Sequence, residues 1–199
     1  MSSISRRLRI LVVLATVALV TGCGTLPQKK AIYIDSAYNP ESVSGITLLS
    51  PIDARVDQTV EVELSKQLNE LMKKILEERG YTANVLSDAP TGATLLKYDL
   101  KAADAKLIKT LGPDDARWVM ILVLDDVTTQ LTFGSTGNAE VSGFMFDKQN
   151  GTTVWRDKGI GRVGQGGLYG MVIKSVMDEK AIRMGVFNLS ASVPLRRDK

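Results

Sequence analysis

The sequence predicts an α/β sandwich in which helices cover a mixed sheet. Three observations predict this class. Strand-like and helix-spaced apolar segments alternate along the first half of the chain, an unbroken apolar run precedes two alternating strands, and a last helical pattern closes the chain. The predicted order is β-α-β-α-β-β-β-α, and its last three strands form an antiparallel meander.

The first half of the predicted domain alternates between strands and helices. Ile46 to Leu49 is predicted as a buried strand, and a helix follows from about Asp57 to Arg79. Gly80 suits the position that ends a helix. A second strand over Tyr81 to Leu86 and a shorter helix near Ala102 to Leu111 complete this half. The apolar residues at helical spacing in the first helix are Leu64, Leu68, Leu71, Met72, Ile75 and Leu76.

The second half predicts the meander and the closing helix. The run from Val119 to Leu124 is typical of a central strand that is covered on both faces. An alternating strand from Ala139 to Asp147 leads to Asn150-Gly151, which favours a type I′ hairpin. Thr152 to Asp157 returns as the partner strand, and a helix follows from about Asp178 to Ala191.

The N-terminus predicts a lipoprotein signal peptide over residues 1–22. Three arginines precede an apolar run from Ile10 to Val20, which is shorter than the roughly 20 residues of a spanning helix. Val20-Thr21-Gly22-Cys23 resembles the lipobox, which implies cleavage before Cys23 and its modification by a diacylglyceryl group and an N-acyl chain such as palmitate. The alternative is an ordinary secretory signal with an incidental cysteine.

The residue after the cysteine bears on the membrane to which the protein is sorted. By resemblance to the enterobacterial sorting rules, Gly24 in place of Asp implies the periplasmic face of the outer membrane rather than the inner membrane. Residues 23–43 are mostly polar and predict a lipidated tether, within which Ala31 to Asp35 could form a short edge strand. Residues 44–199 are then a single domain.

Composition excludes several classes of active site and partner. The chain has no histidine, which removes the commonest general base, the usual Ser or Cys triads and most zinc sites. Cys23 is the only cysteine, so no intramolecular disulfide can form. Removing the three leader arginines from the 25 basic residues leaves 22, which balance the 22 acidic ones. We therefore expect no catalytic activity, no cofactor, no metal site and no nucleic-acid partner.

One segment resembles a known family. The residues from Phe146 to Arg156 match the pattern D-x-x-x-G-x-x-x-W-[KR] of small periplasmic lipoproteins whose domain is similar to the N-terminal domain of TolB. The curli-secretion and Pel-export lipoproteins are relatives of this family, and they work as oligomeric rings. The resemblance covers about residues 45 to 158 and implies the same fold, self-association and an accessory role in export.

Three other features could carry chemistry. Gly159 to Gly164 matches the dinucleotide fingerprint G-x-G-x-x-G, but too little chain follows for a βαβ unit, so a mobile surface loop is the favoured interpretation. Asp125 and Asp126 end the central strand and could pair for catalysis or for a hard cation, although solvated acids are expected. Trp155 could stack on a sugar or contact a partner, but packing at the hairpin edge is favoured.

The sequence therefore predicts a membrane-anchored accessory or assembly factor of the cell envelope that acts through protein–protein contacts. Within the glycine-rich segment, Leu168, Tyr169 and Met171 are the candidate anchors for another envelope protein or for a second copy. The alternative is a periplasmic carrier that binds a lipid or a glycan beneath the sheet.

Overall fold

The computed structural model describes residues 29–55, 58–59, 62–86, 100–131, 134–166 and 174–196. The predicted signal peptide, Cys23, Leu168, Tyr169 and Met171 lie outside these residues. The strands are β1 Tyr33–Ile34, β2 Ile46–Leu48, β3 Ile52–Asp53, β4 Gln58–Thr59, β5 Ala83–Val85, β6 Trp118–Gln130, β7 Gly134–Asp147 and β8 Thr152–Gly166. The helices are α1 Val62–Glu78, α2 Ala105–Lys109 and α3 Lys174–Ser190, and Pro40–Ser42 forms a 3₁₀ turn.

The strands form one mixed sheet in the order β1-β8-β7-β6-β2-β5, with β3 beside β6 and β4 beside β3. β2 runs parallel to both of its neighbours, whereas β7 is antiparallel to both β6 and β8. The predicted mixed α/β class is confirmed. β3 and β4 are not predicted by the sequence, because two-residue strands are too short to show a period.

The core lies on both faces of β6. Met120, Leu122 and Leu124 pack with the buried residues of α1 and α3, and Val119, Ile121 and Val123 pack on the opposite face. All six are at most 1 % exposed, which confirms a central strand that is covered on both sides. The second face is filled by Leu49, Ile52, Leu100, Ile108, Leu111, Phe144 and Phe146.

Helix α1 begins at Val62, five residues later than the apolar pattern predicts. The stripe that faces the sheet contains four fully buried residues, whereas Leu64 and Leu71 are only half-buried at its margin. The helix ends at Glu78, two residues before Gly80. The φ of 87° at Gly80 is left-handed, and a Cβ there would lie 2.6 Å from the backbone oxygen of Arg196. The buried four are Leu68, Met72, Ile75 and Leu76.

The difference between these leucines is testable. Leu68 is 1 % exposed, so Leu68→Ala is expected to lower the free energy of unfolding by about 2–5 kcal/mol, the range for a buried leucine. Leu71 shares the helical stripe but keeps contact with water, so Leu71→Ala should cost only about 1 kcal/mol. Denaturant melts of both variants, produced without the lipid, measure this. Equal losses would contradict the assignment of Leu71 to the margin.

Part of the predicted tether belongs to the folded domain. The backbone N–H of Lys29 donates to the oxygen of Ala191 at 3.0 Å, and β1 pairs with β8 through Tyr33 and Ile34. Val43 is fully buried. The prediction of a tether up to residue 43 is therefore wrong from Lys29 onward, because a few apolar residues in this polar stretch are enough to dock it. The predicted edge strand within it is confirmed as β1.

The hairpin between β7 and β8 is wider than predicted. Four residues, 148–151, connect the strands, so the two-residue type I′ turn is wrong. The carboxylate of Asp147 accepts hydrogen bonds from the backbone N–H groups of Gln149 at 3.0 Å and of Asn150 at 3.4 Å. Gly151 then closes the turn with φ of 67° and donates its N–H to the oxygen of Asp147 at 2.8 Å. The side chain of Asp147 therefore sets the wider loop.

Candidate functional site

The parts of β6, β7 and β8 that lie farthest from the loop of residues 148–151 form a three-stranded ribbon. α3 covers one face of this ribbon, and the side chains on the other face are largely exposed. Side chains alternate between the two faces of a strand. Val127, Ala139 and Val163 point toward the core under α3. On the other side, every residue except the half-buried Glu140 is exposed. We call this the open face; it consists of Asp126, Thr128, Gln130, Thr136, Asn138, Glu140, Ile160, Arg162 and Gly164.

The outer edge of β8 has little strand cover. β1 pairs with β8 only at Trp155 and Arg156, and within the described ranges no strand lies beside residues 157–166 on that side. Two of the backbone carbonyl groups on this edge, those of Lys158 and Ile160, accept hydrogen bonds from side chains. Lys29 Nζ donates to the oxygen of Lys158 at 2.8 Å, and Asn188 Nδ2 donates to the oxygen of Ile160 at 2.8 Å. Among the described residues, the edge beyond Ile160 is therefore the candidate position for pairing with another strand.

The glycine-rich segment is a strand and not a surface loop as far as Gly166. β8 pairs with β7 residue by residue from Gly159 to Gly166. A Cβ at Gly159 would lie 1.9 Å from the backbone oxygen of Gly185, and one at Gly161 would lie 1.8 Å from the oxygen of Ala181. These glycines let α3 approach the backbone of the sheet. The predicted mobile loop is wrong here, and a fingerprint inside a paired strand does not open a helix as phosphate binding requires.

Trp155 is not available to a sugar or to a partner. Its side chain is fully buried, its ring lies against Gly143, and its Nε1–H donates to the oxygen of Ser192 at 3.3 Å. A Cβ at Gly143 would lie 2.8 Å from the tryptophan ring. The partner-binding assignment of Trp155 is therefore wrong, and the favoured interpretation of packing between the hairpin and a helix describes the structure.

Asp125 and Asp126 lie at a bulge in β6. The pairing with β7 shifts between Leu124 and Asp126, and this shift sends the two carboxylates to different partners. The Ser142 hydroxyl donates to Asp125, whereas Asp126 accepts a hydrogen bond from the Thr128 hydroxyl at 3.1 Å. Over the part of the chain that the structure describes, no three acidic, His or Cys side chains come together as metal ligands.

The motif from Phe146 to Arg156 has structural roles. Asp147 is 1 % exposed and forms a two-pronged ion pair with Arg117, at 3.1 and 2.9 Å. A Cβ at Gly151 would lie 2.7 Å from that of Ala105, so a glycine lets the hairpin rest on α2. The guanidinium of Arg156 lies 5.9 Å from the ring centre of Tyr33. The hairpin is therefore held against the rest of the domain by Asp147, Gly151 and the buried Trp155.

A polar cluster joins the end of α1 to the C-terminal segment. The hydroxyls of Tyr38 and Tyr81 lie 3.2 Å apart, and Tyr81 donates to the oxygen of Pro194 at 2.9 Å. Burial raises the pKa of both tyrosines, so both stay protonated at neutral pH. Burial also lowers the pKa of Arg79, whose Nη1 donates to the oxygen of Val193 at 2.6 Å. These contacts attach the C-terminal segment to the end of α1.

Helix α3 carries an apolar hollow that the sequence analysis missed. The hollow has a volume of about 500 Å³ and lies between α1, α3 and β8. Met184 and Phe187 are 41 % and 42 % exposed, although both belong to a helix whose other face is buried. The residues that line the hollow are Leu71, Val163, Lys180, Arg183, Met184 and Phe187. The packing of α1 beside α3 creates it, so neither helix reveals it alone.

The hollow is a surface feature and not a membrane span. Among the described helices, none combines the length and the apolar character needed to cross a bilayer. Arg183 forms ion-pair and hydrogen-bond contacts with Glu179 at 2.9 Å and with Gln67 at 2.8 Å, and Lys180 is exposed at the rim. The hollow therefore joins an apolar floor to a charged rim, in which the charge of Arg183 is balanced by Glu179.

No family model matches the chain, and no curated relative matches it either. Solved structures with a similar arrangement include the PelC dodecamer from Paraburkholderia phytofirmans, which is 15% identical, with 78% of this chain and 90% of that chain covered and a TM-score of 0.45. Lipoprotein GNA1162 from Neisseria meningitidis is 17% identical, with 67% and 90% covered and a TM-score of 0.43. A minor lipoprotein from Acinetobacter baumannii is 12% identical, with 74% and 86% covered and a TM-score of 0.36. Similarity at this level transfers no function to the chain.

Proposed function

We propose that the protein is a non-catalytic, lipid-anchored accessory or assembly factor of the cell envelope that binds another envelope protein or a second copy of itself, in export or assembly. The observation that carries this proposal is the outer edge of β8, beside which no described strand lies beyond Arg156. An edge strand offers backbone N–H and C=O groups to a strand of another chain, and such pairing is a common mode of protein recognition. The adjoining open face adds side-chain contacts.

In this proposal the membrane anchor is the acylated Cys23, which holds the protein on the periplasmic face of the outer membrane. The lipobox and the absence of any other cysteine support it. Two or more acyl chains are needed for stable anchoring, and a diacylglyceryl group with an N-acyl chain provides them. We expect Cys23→Ser to leave a precursor that is uncleaved or mislocalised and takes up no labelled palmitate. Normal cleavage and membrane association of this variant would contradict the lipidation.

The partner contact is tested by photocrosslinking in intact cells. A photoreactive side chain at Arg162, at the outer edge and on the open face, is expected to trap a protein partner that mass spectrometry can identify. The matched control is Lys106, which is exposed on α2 at a distance from this edge. A partner trapped equally from both positions, or from neither, would contradict the assignment of the edge of β8. Tyr169→Ala, outside the described residues, is still predicted to weaken the same capture.

The carrier of a lipid or a glycan is the second candidate function, and the apolar hollow on α3 is the observation that favours it. A carrier of this kind is expected to hold its ligand beneath the sheet, whereas the hollow opens at the surface between α1 and α3. Extraction of the purified protein with organic solvent, followed by mass spectrometry, tests this function. A stoichiometric lipid or glycan in the extract would favour the carrier over the accessory factor.

A further inference from the structure

The chain enters the described domain beside the C-terminal end of α3. The backbone N–H of Lys29 donates to the oxygen of Ala191, one residue after the helix ends, at 3.0 Å. The Lys29 ammonium group holds the same place by donating to Asp157 at 3.0 Å. Cys23 lies six positions earlier, and six residues span at most about 20 Å. An acylated Cys23 therefore keeps this end of α3 within about 20 Å of the membrane surface.

The apolar hollow extends along α3 from near this end of the helix to its middle. Phe187 precedes Ala191 by four positions, so the two residues lie on the same side of the helix, one turn apart. Met184 is a further turn away, and Lys180 and Arg183 lie at the rim of the hollow. A helix whose exposed side combines apolar side chains with Lys and Arg is suited to the boundary between lipid headgroups and acyl chains.

We propose that the hollow on α3 is the membrane-facing surface of the domain and docks on the phospholipid leaflet that holds the acyl chains of Cys23. This inference rests on the lipidation proposed above. The short anchor confines the hollow next to one particular surface, which raises the effective concentration of lipid there. Phe187 and Met184 enter the headgroup boundary, and Lys180 contacts anionic headgroups.

The docked orientation has a consequence for partner binding. α3 packs on the sheet through the face that carries Gly159, Gly161 and Val163. Ile160 and Arg162 alternate with these residues and lie on the open face, on the other side of the sheet. Docking of α3 on the leaflet therefore turns the open face toward the periplasm, where a partner can reach it.

The test uses the lipidated protein reconstituted in vesicles of phosphatidylethanolamine and phosphatidylglycerol. Because Cys23 is the only cysteine and its sulfur is acylated, a cysteine introduced by Phe187→Cys is the single site for a polarity-sensitive fluorophore. We expect its emission to shift to the blue in vesicles and to be quenched by a nitroxide carried on lipid. Met184→Cys is a second site, should the first variant fail to fold. Lys106→Cys on α2 is the matched control and should show neither effect.

The outcomes separate this inference from the lipidation on which it rests. In one outcome the protein floats with the vesicles, but the fluorophore at position 187 is quenched no more than the fluorophore at position 106. This result would overturn the docking and leave the anchor intact. Protein that does not float would overturn both. A third outcome is a blue shift that increases with the amount of protein per vesicle and is not accompanied by quenching from the lipid nitroxide. It would show that a second copy covers the hollow, and it would also overturn the proposal.

Discussion

Gly161→Ala is expected to lower the free energy of unfolding by about 3 kcal/mol, the upper part of the usual range for overpacking. The added Cβ would lie 1.8 Å from the backbone oxygen of Ala181 and 2.5 Å from the backbone nitrogen of Gly185. Both are backbone atoms of α3, so no rotation of a side chain can relieve the contact. The helix must move away from the sheet, and the core residues beneath it lose contacts.

Gly164 provides the matched control for this substitution. It lies three residues further along the same strand, and a Cβ there would meet no atom within 4 Å. Gly164→Ala is therefore expected to change the free energy of unfolding by less than about 0.5 kcal/mol. Urea melts of both variants against the unsubstituted protein make the comparison. Equal stability of the two variants would contradict the close approach of α3 to β8.

Gly159 and Gly161 explain why the prediction of a surface loop is wrong in this chain. Glycine clusters are typical of turns and loops, because glycine has no side chain to pack and pays a high entropic cost in a strand. In β8 the missing side chains are an advantage, since they make room for α3. That requirement comes from a helix that begins eight residues after the strand ends. The sequence pattern of the strand alone therefore does not reveal that α3 needs this space.

The central strand shows the opposite case. The apolar run from Val119 to Leu124 predicts a strand buried on both faces because burial on both sides leaves no position for a polar side chain. The prediction needs only the residues of the strand itself, and each of them is buried. The end of α1 before Gly80 and the strand over Ala83–Val85 can be predicted for the same reason, because each is determined by residues that are close in the sequence.

The candidate site could be predicted only in part. The favoured interpretation of Trp155, packing at the hairpin edge, describes the structure, whereas the alternative of a partner contact does not. The hollow on α3 and the open edge of β8 both arise from how distant elements are placed, with Leu71 and Phe187 separated by more than a hundred residues. Such sites follow from the topology of the sheet and not from the spacing of residues.

Trp155→Ala is expected to lower the free energy of unfolding by about 3–5 kcal/mol, as for other buried tryptophans. The ring is fully buried against Gly143 and Leu189, and its loss leaves a cavity that the backbone of the sheet and α3 cannot fill. Thermal and denaturant melts of the variant measure the effect. A residue that contacted a partner would instead leave the melting temperature unchanged and weaken only capture of the partner.

Substitution by phenylalanine separates the packing of Trp155 from its hydrogen bond. Trp155→Phe keeps an aromatic ring but removes the bond from Nε1 to the oxygen of Ser192, at 3.3 Å, so a loss of about 1 kcal/mol is expected for the bond. Trp118 is the matched control, because it is also buried and its Nε1 has no hydrogen-bond acceptor among the residues that the structure describes. Trp118→Phe should therefore be the milder change, since it removes a buried donor that has no acceptor. A larger loss from Trp118→Phe than from Trp155→Phe would contradict the role assigned to the bond with Ser192.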